Sequence, residues 1–72
     1  MSNSLANVFA ENLRHARERQ GLSKKALVAL VGTHTSEITR LEKAERDPRL
    51  STVGRVAQAL NVPLAGLLGG AQ

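Results

Sequence analysis

Seventy-two residues allow one small domain, and a chain of that length buries only about 60% of its unfolded surface. The absence of cysteine removes disulfide staples and the usual structural zinc sites, and agrees with a reducing compartment. Ten Lys and Arg against six Asp and Glu give a formal charge of +4, which suits a polyanionic partner as well as it serves simple solubility. Phe9 is the single aromatic residue, which speaks against modules that stack unpaired bases on aromatic rings. The start, MSNSLANVFAENLR, has no basic segment followed by an apolar one, so no signal peptide is expected. No apolar run approaches the roughly 20 residues of a membrane span.

The pattern predicts five short helices and no strand, an all-α fold. Ser4 is placed to cap a first helix over residues 5–20, with Leu5, Phe9, Leu13 and Ala16 at core spacing and Gly21 to end it. Ser23 precedes KKALVALV, a second helix over 24–31 with Leu27, Val28 and Val31 on one side, stopped by Gly32. Only Thr33 and His34 separate it from a third helix over 35–43. The segment AERDPRL, residues 44–50, reads as a charged loop, and Ser51 as the cap of a fourth helix over 52–60 with Val53, Val56, Ala57 and Leu60 inward. Pro63 suits the first position of a fifth helix over 63–68, and the last three or four residues are expected to fray.

The second and third helices, joined by a tight turn with glycine, form a helix-turn-helix whose second helix is free to enter a DNA major groove. Ile38 and Leu41 anchor the third helix, while Thr35, Ser36, Thr39 and Arg40 project from its other side. Hydroxyls exchange hydrogen bonds with any base edge, and arginine forks onto the two acceptors of guanine. The same residues would also serve as the solvated face of an ordinary helical bundle.

The order of segments carries a more specific signal. LRHAR before GLS, SKKALVALVG, SEITRLEKAERDP and LSTVGRVAQALNV together resemble the Cro and phage-repressor type of helix-turn-helix, the XRE-like family, from about Phe9 to Leu68. The resemblance implies a lambda-repressor-like domain over residues 1–72 and a cytoplasmic, nucleoid-associated regulator of transcription that binds double-stranded DNA. It implies base reading by Thr35, Ser36 and Arg40 with Thr39 in support. It implies phosphate contacts for Lys24, Lys43, Arg46 and Arg49, to which Thr33 and His34 in the turn are expected to add; such contacts set register without carrying sequence information. Arg17 and Glu42 fall where family members join the first helix to the end of the third. Arg17 also lies on the Leu13–Ala16 side of its helix.

Several positions depart from the family pattern. Val28 stands where alanine is usual and should press the two motif helices slightly apart or demand compensation. His34 replaces a capping Ser or Thr, leaving Thr33 as an alternative cap. Ala44 replaces a left-handed glycine, so the third helix is expected to run on or turn differently. Leu30 is apolar on an outward side and would suit a partner contact.

VPLAGLLGG is too apolar to bury on one side of so short a helix, so Val62, Leu64, Leu67 and Leu68 are assigned to a homodimer interface, two of them packing inward against Leu60 and Val56 and the others forming the exposed patch. An antitoxin or adaptor subunit with weak DNA binding is the alternative. No acid pair, nucleophile–base set, phosphate-binding loop or ligand cluster marks the chain as an enzyme. No cofactor, metal or small-molecule ligand is expected.

Overall fold

The computed structural model describes residues 4–69. The expected fraying of the last residues falls largely on 70–72, outside the described part, as do the first three residues of the N-terminal reading. The described chain forms five helices: α1 (Leu5–Arg19), α2 (Lys24–Val31), α3 (Thr35–Glu42), α4 (Leu50–Leu60) and α5 (Leu64–Leu68).

Local chemistry sets most of the boundaries. The Ser4 hydroxyl accepts from Asn7 N–H and the Ser23 hydroxyl from Ala26 N–H, so both serines cap as their positions predict. Gly32 ends α2 at φ 80 and ψ 44, a left-handed conformation that costs a residue without Cβ little. At the end of α1, Gly21 N–H bonds to the Glu18 carbonyl and Leu22 N–H to that of Arg17, which closes a Schellman motif.

The third helix ends the same way, without the glycine. Ala44 takes φ 58, its N–H bonding to the Leu41 carbonyl and that of Glu45 to the Arg40 carbonyl. The expectation that α3 would run on or turn differently is therefore corrected. Two carbonyls gain partners and the chain is released into the loop, which offsets the roughly 1–2 kcal/mol of an L-residue in this region.

Two starts also differ from the sequence reading. Helix α4 begins at Leu50 with Arg49 at the cap position and no side-chain capping bond, so Ser51 sits inside the first turn and does not cap. The Val53 N–H reaches the Arg49 carbonyl at 2.9 Å, which starts the helical ladder early enough to aim Val53 into the core. Pro63 is the cap residue of α5 rather than its first helical residue.

The core joins all five helices: Phe9 and Leu13 from α1, Leu27 and Val31 from α2, Ile38 and Leu41 from α3, Val53, Val56, Ala57 and Leu60 from α4, and Leu67 from α5. Leu67 is only 1% exposed, which corrects its assignment to a partner surface: α5 points this side chain under α1 and α4. Val28 is half-buried against the same core. Among the described residues no buried side-chain polar atom lacks a hydrogen-bond partner.

Candidate nucleic-acid interface

Helix α3 is divided along its length. Ile38 and Leu41 are essentially fully buried, while Thr35, Ser36 and Arg40 are exposed and Thr39 is half-buried. Helical periodicity puts Ser36, Thr39, Arg40 and Lys43 on one outward stripe, three to four residues apart. That stripe brings together three of the four expected base-reading residues, with Lys43 at the end of the row, and Thr35 stands beside it, one turn before Thr39. Glu37 lies in the first turn and Arg40 in the last, each at the end of the helix dipole that favours its charge.

The start of α3 is less closed than the sequence suggests. His34 is its cap residue but makes no side-chain capping bond, and Thr33, the alternative, precedes the cap position. His34 is exposed and Thr33 half-buried in the turn. Lys24 opens α2 as a half-buried residue, and Arg46 and Arg49 are exposed in the loop after α3. One of these cations is already engaged. Arg46 Nη1 lies 3.7 Å from Glu37 Oε1, an ion pair that holds the loop beside α3.

The other end of α3 is locked to α1. Arg17 Nε donates to Glu42 Oε2 at 2.7 Å and its Nη2 to Oε1 at 3.2 Å, a fork-to-fork pair. A third donor, Nη1, reaches the Leu22 carbonyl at 3.0 Å. The side chains are 12% and 5% exposed. Hydrogen bonding to Glu42 raises the Arg17 pKa above the usual arginine value, against the lowering effect of burial and with help from the charges of Glu42 and Glu18. A raised cation stabilises the fold at every pH below its unfolded value and loses that contribution only above its folded one, so the Arg17 charge is constant over any ordinary pH range.

Three further side chains fix helix ends from a distance. Arg55 Nη2 donates to the Val31 and Gly32 carbonyls at 3.2 and 3.1 Å, Gln20 to the Leu60 carbonyl at 2.6 Å, and Asn12 to the Leu67 and Gly69 carbonyls at 2.9 and 3.0 Å. Sequence reasoning missed all three. Their acceptors are backbone carbonyls 23 to 57 residues away, and no residue type marks such an acceptor in a sequence.

Comparison with known proteins agrees with this geometry. A family model described as a helix-turn-helix domain matches residues 8–67. The chain is 36% identical over 64 residues to the control protein C.SmaI of Serratia marcescens, covering 89% of this chain and 76% of that protein. It is 34% identical over 61 residues to the HTH-type transcriptional repressor RghR of Bacillus subtilis (strain 168), covering 83% of this chain and 45% of the repressor. Among solved structures, a hypothetical transcription factor, NHTF from Neisseria, superposes with a TM-score of 0.90 at 29% identity, over 96% of this chain and 79% of that one. The restriction-modification controller protein C.AhdI from Aeromonas hydrophila superposes with a TM-score of 0.79 at 30% identity, over 83% of this chain and 91% of that one. With its two-faced third helix, its glycine turn and these relatives, the chain belongs to the XRE-like helix-turn-helix family of DNA-binding proteins.

Proposed function

We propose that this DNA-binding transcriptional regulator reads a two-fold symmetric operator as a homodimer, with α3 in the major groove of double-stranded DNA. The division of α3 into a buried and an exposed face carries the reading. A groove about 12 Å wide admits a helix whose outer side chains are short, and Thr35, Ser36 and Thr39 are short while Arg40 reaches the paired acceptors of guanine. Lys24, Thr33, His34, Lys43 and Arg49 flank that face as phosphate contacts. Arg46 joins them when its pair with Glu37 opens or is shared.

The dimer reading rests on α5 and the helix beneath it. Leu64 is 40% exposed, and Val62 and Leu68 are half-buried at the edge of the core. Leu64 overlies Gly54: a Cβ built on that glycine would meet Leu64 Cδ1 at 3.9 Å. One turn earlier on the same face of α4 stands Leu50, 69% exposed. Leu50 and Leu64, with Val62 and Leu68 at the margin, form the proposed surface, and buried Leu67 is not part of it. Two-fold pairing through this surface would present two reading helices to half-sites about one helical turn, ~34 Å, apart.

Selection of bound duplexes from a random pool tests the proposal. A pseudo-palindromic consensus with half-sites one turn apart is the expected product. A pool that converges on no sequence, from a protein that still binds DNA, would overturn it.

A further inference from the structure

We infer that Arg55, on α4, is a positioning residue for base reading, because it clamps the turn from which α3 departs. The inference rests on the assignment of α3 as the reading helix. No side-chain capping bond closes the start of α3: the His34 carbonyl accepts from Glu37 and Ile38 N–H, but its side chain caps nothing. The turn before it is held on the α2 side: Gly32 and Thr33 N–H both reach the Val28 carbonyl, at 2.9 and 3.2 Å. The Val31 and Gly32 carbonyls, in the turn ahead of α3, receive hydrogen bonds from outside the motif. One guanidinium nitrogen of Arg55 takes both.

The clamp has a rigid base and a close approach. Arg55 is flanked in α4 by Val53, Val56 and Ala57, all buried in the core, so its backbone has little freedom. A Cβ built on Gly32 would stand 3.9 Å from Arg55 Nη2, and Gly32 holds a left-handed φ of 80. The guanidinium also places a positive charge at the C-terminal end of α2, the end that favours it. Thr33 and Glu37 border the same small cleft between the turn and α4 as Arg55 does. The reading helix is therefore held from two sides, by Arg17 on α1 at its end and by Arg55 on α4 at its approach. Small shifts of a base-reading helix remove base contacts before they remove phosphate contacts, because base hydrogen bonds demand the tighter geometry.

The test compares wild type, Arg55→Ala and Arg55→Lys on the selected duplex and on a scrambled one across a range of salt, with amide exchange measured on the free proteins. Arg55→Ala should lower the cognate-to-scrambled affinity ratio about tenfold, the order expected from one charge-assisted hydrogen bond. Affinity for the scrambled duplex and its salt slope should stay at wild-type values, and exchange should quicken locally from Thr33 to Ile38. Arg55→Lys, which keeps a cation but loses the planar fork, should restore part of the ratio. A salt slope flattened by about one unit with equal weakening on both duplexes would make Arg55 a phosphate contact and overturn the inference. An unchanged ratio with unchanged exchange would overturn it as well. A wild type that does not discriminate between the duplexes would count against operator reading itself, and the exchange arm would still decide whether Arg55 holds the turn.

Discussion

Two cations of this chain are proposed for different tasks, and single substitutions separate them. Arg40 stands on the outward stripe of α3, whereas Lys24 opens α2 at the edge of that face. Arg40→Ala should cost about 1–3 kcal/mol against its preferred base and relax selection at one position of each half-site. Lys24→Ala should weaken all duplexes alike and flatten the salt dependence by about one unit. Titrations on single-base-changed duplexes distinguish the two, and equal weakening everywhere by Arg40→Ala would reassign it to the phosphates. Ala44 offers a test of backbone strain. Its φ of 58 suits glycine, so Ala44→Gly should raise stability by about 1 kcal/mol in chemical denaturation, with DNA affinity unchanged. A loss of stability would mean that the Ala44 side chain, half-buried as it is, contributes more by packing than the left-handed backbone costs.

At the scale of elements, the helices were legible where a period or a cap writes them into the sequence. Ser4, Ser23, Gly21 and Gly32 act as their residue types predict, and α2 has the predicted bounds. The start of α4 was not legible because Ser51 is a good cap by type, yet helix geometry was already set by Arg49 and the need to bury Val53. Leu67 could not be sorted from Leu64 and Leu68 because a five-residue helix is too short to show which side is inward. The outward placement of Thr35, Ser36 and Arg40 was legible, since Ile38 and Leu41 fix the opposite side of α3; the half-burial of Thr39 was not. The Arg17–Glu42 pair, expected from family resemblance, is present as a part-buried fork between α1 and α3. Removing Arg17 leaves the Glu42 carboxylate, 5% exposed, without its partner, and removing Glu42 leaves Arg17 only the Leu22 carbonyl and the more exposed Glu18, a loss of up to about 3–5 kcal/mol. Arg17→Ala and Glu42→Ala should each lower the melting temperature by more than ~10 °C. Melts within a degree or two of wild type would show that solvent reaches the pair more freely than its 12% and 5% exposures indicate.

For the whole molecule, association is the property on which site length depends. One reading helix covers a few base pairs, and a small number of phosphate contacts yields mainly non-specific affinity. Leu64→Lys and Leu50→Lys place a charge on the exposed stripe over Gly54 without entering the core. Both should remain folded and sediment as monomers where wild type is dimeric, and operator affinity should fall with them. Leu67→Lys is the contrasting control: at 1% exposure it should fail to fold rather than merely fail to pair. Wild-type protein that stays monomeric at high micromolar concentration would remove the preformed dimer. Cooperative binding of monomers on DNA would take its place.

The fastening of α3 from α1 and α4 bears on transplantation. A peptide of residues 23–44 contains every side chain proposed to read bases and the complete glycine turn, yet it lacks Arg17 and Arg55, and with them both anchors proposed to aim the helix. Its two eight-residue helices fall below the ~12–15 residues at which isolated helices persist in water. Grafting that segment onto another scaffold would carry the alphabet of contacts without the angle at which they are offered. A specificity swap between relatives should therefore exchange the outward residues of α3 in place and leave positions 17, 42 and 55 with the recipient.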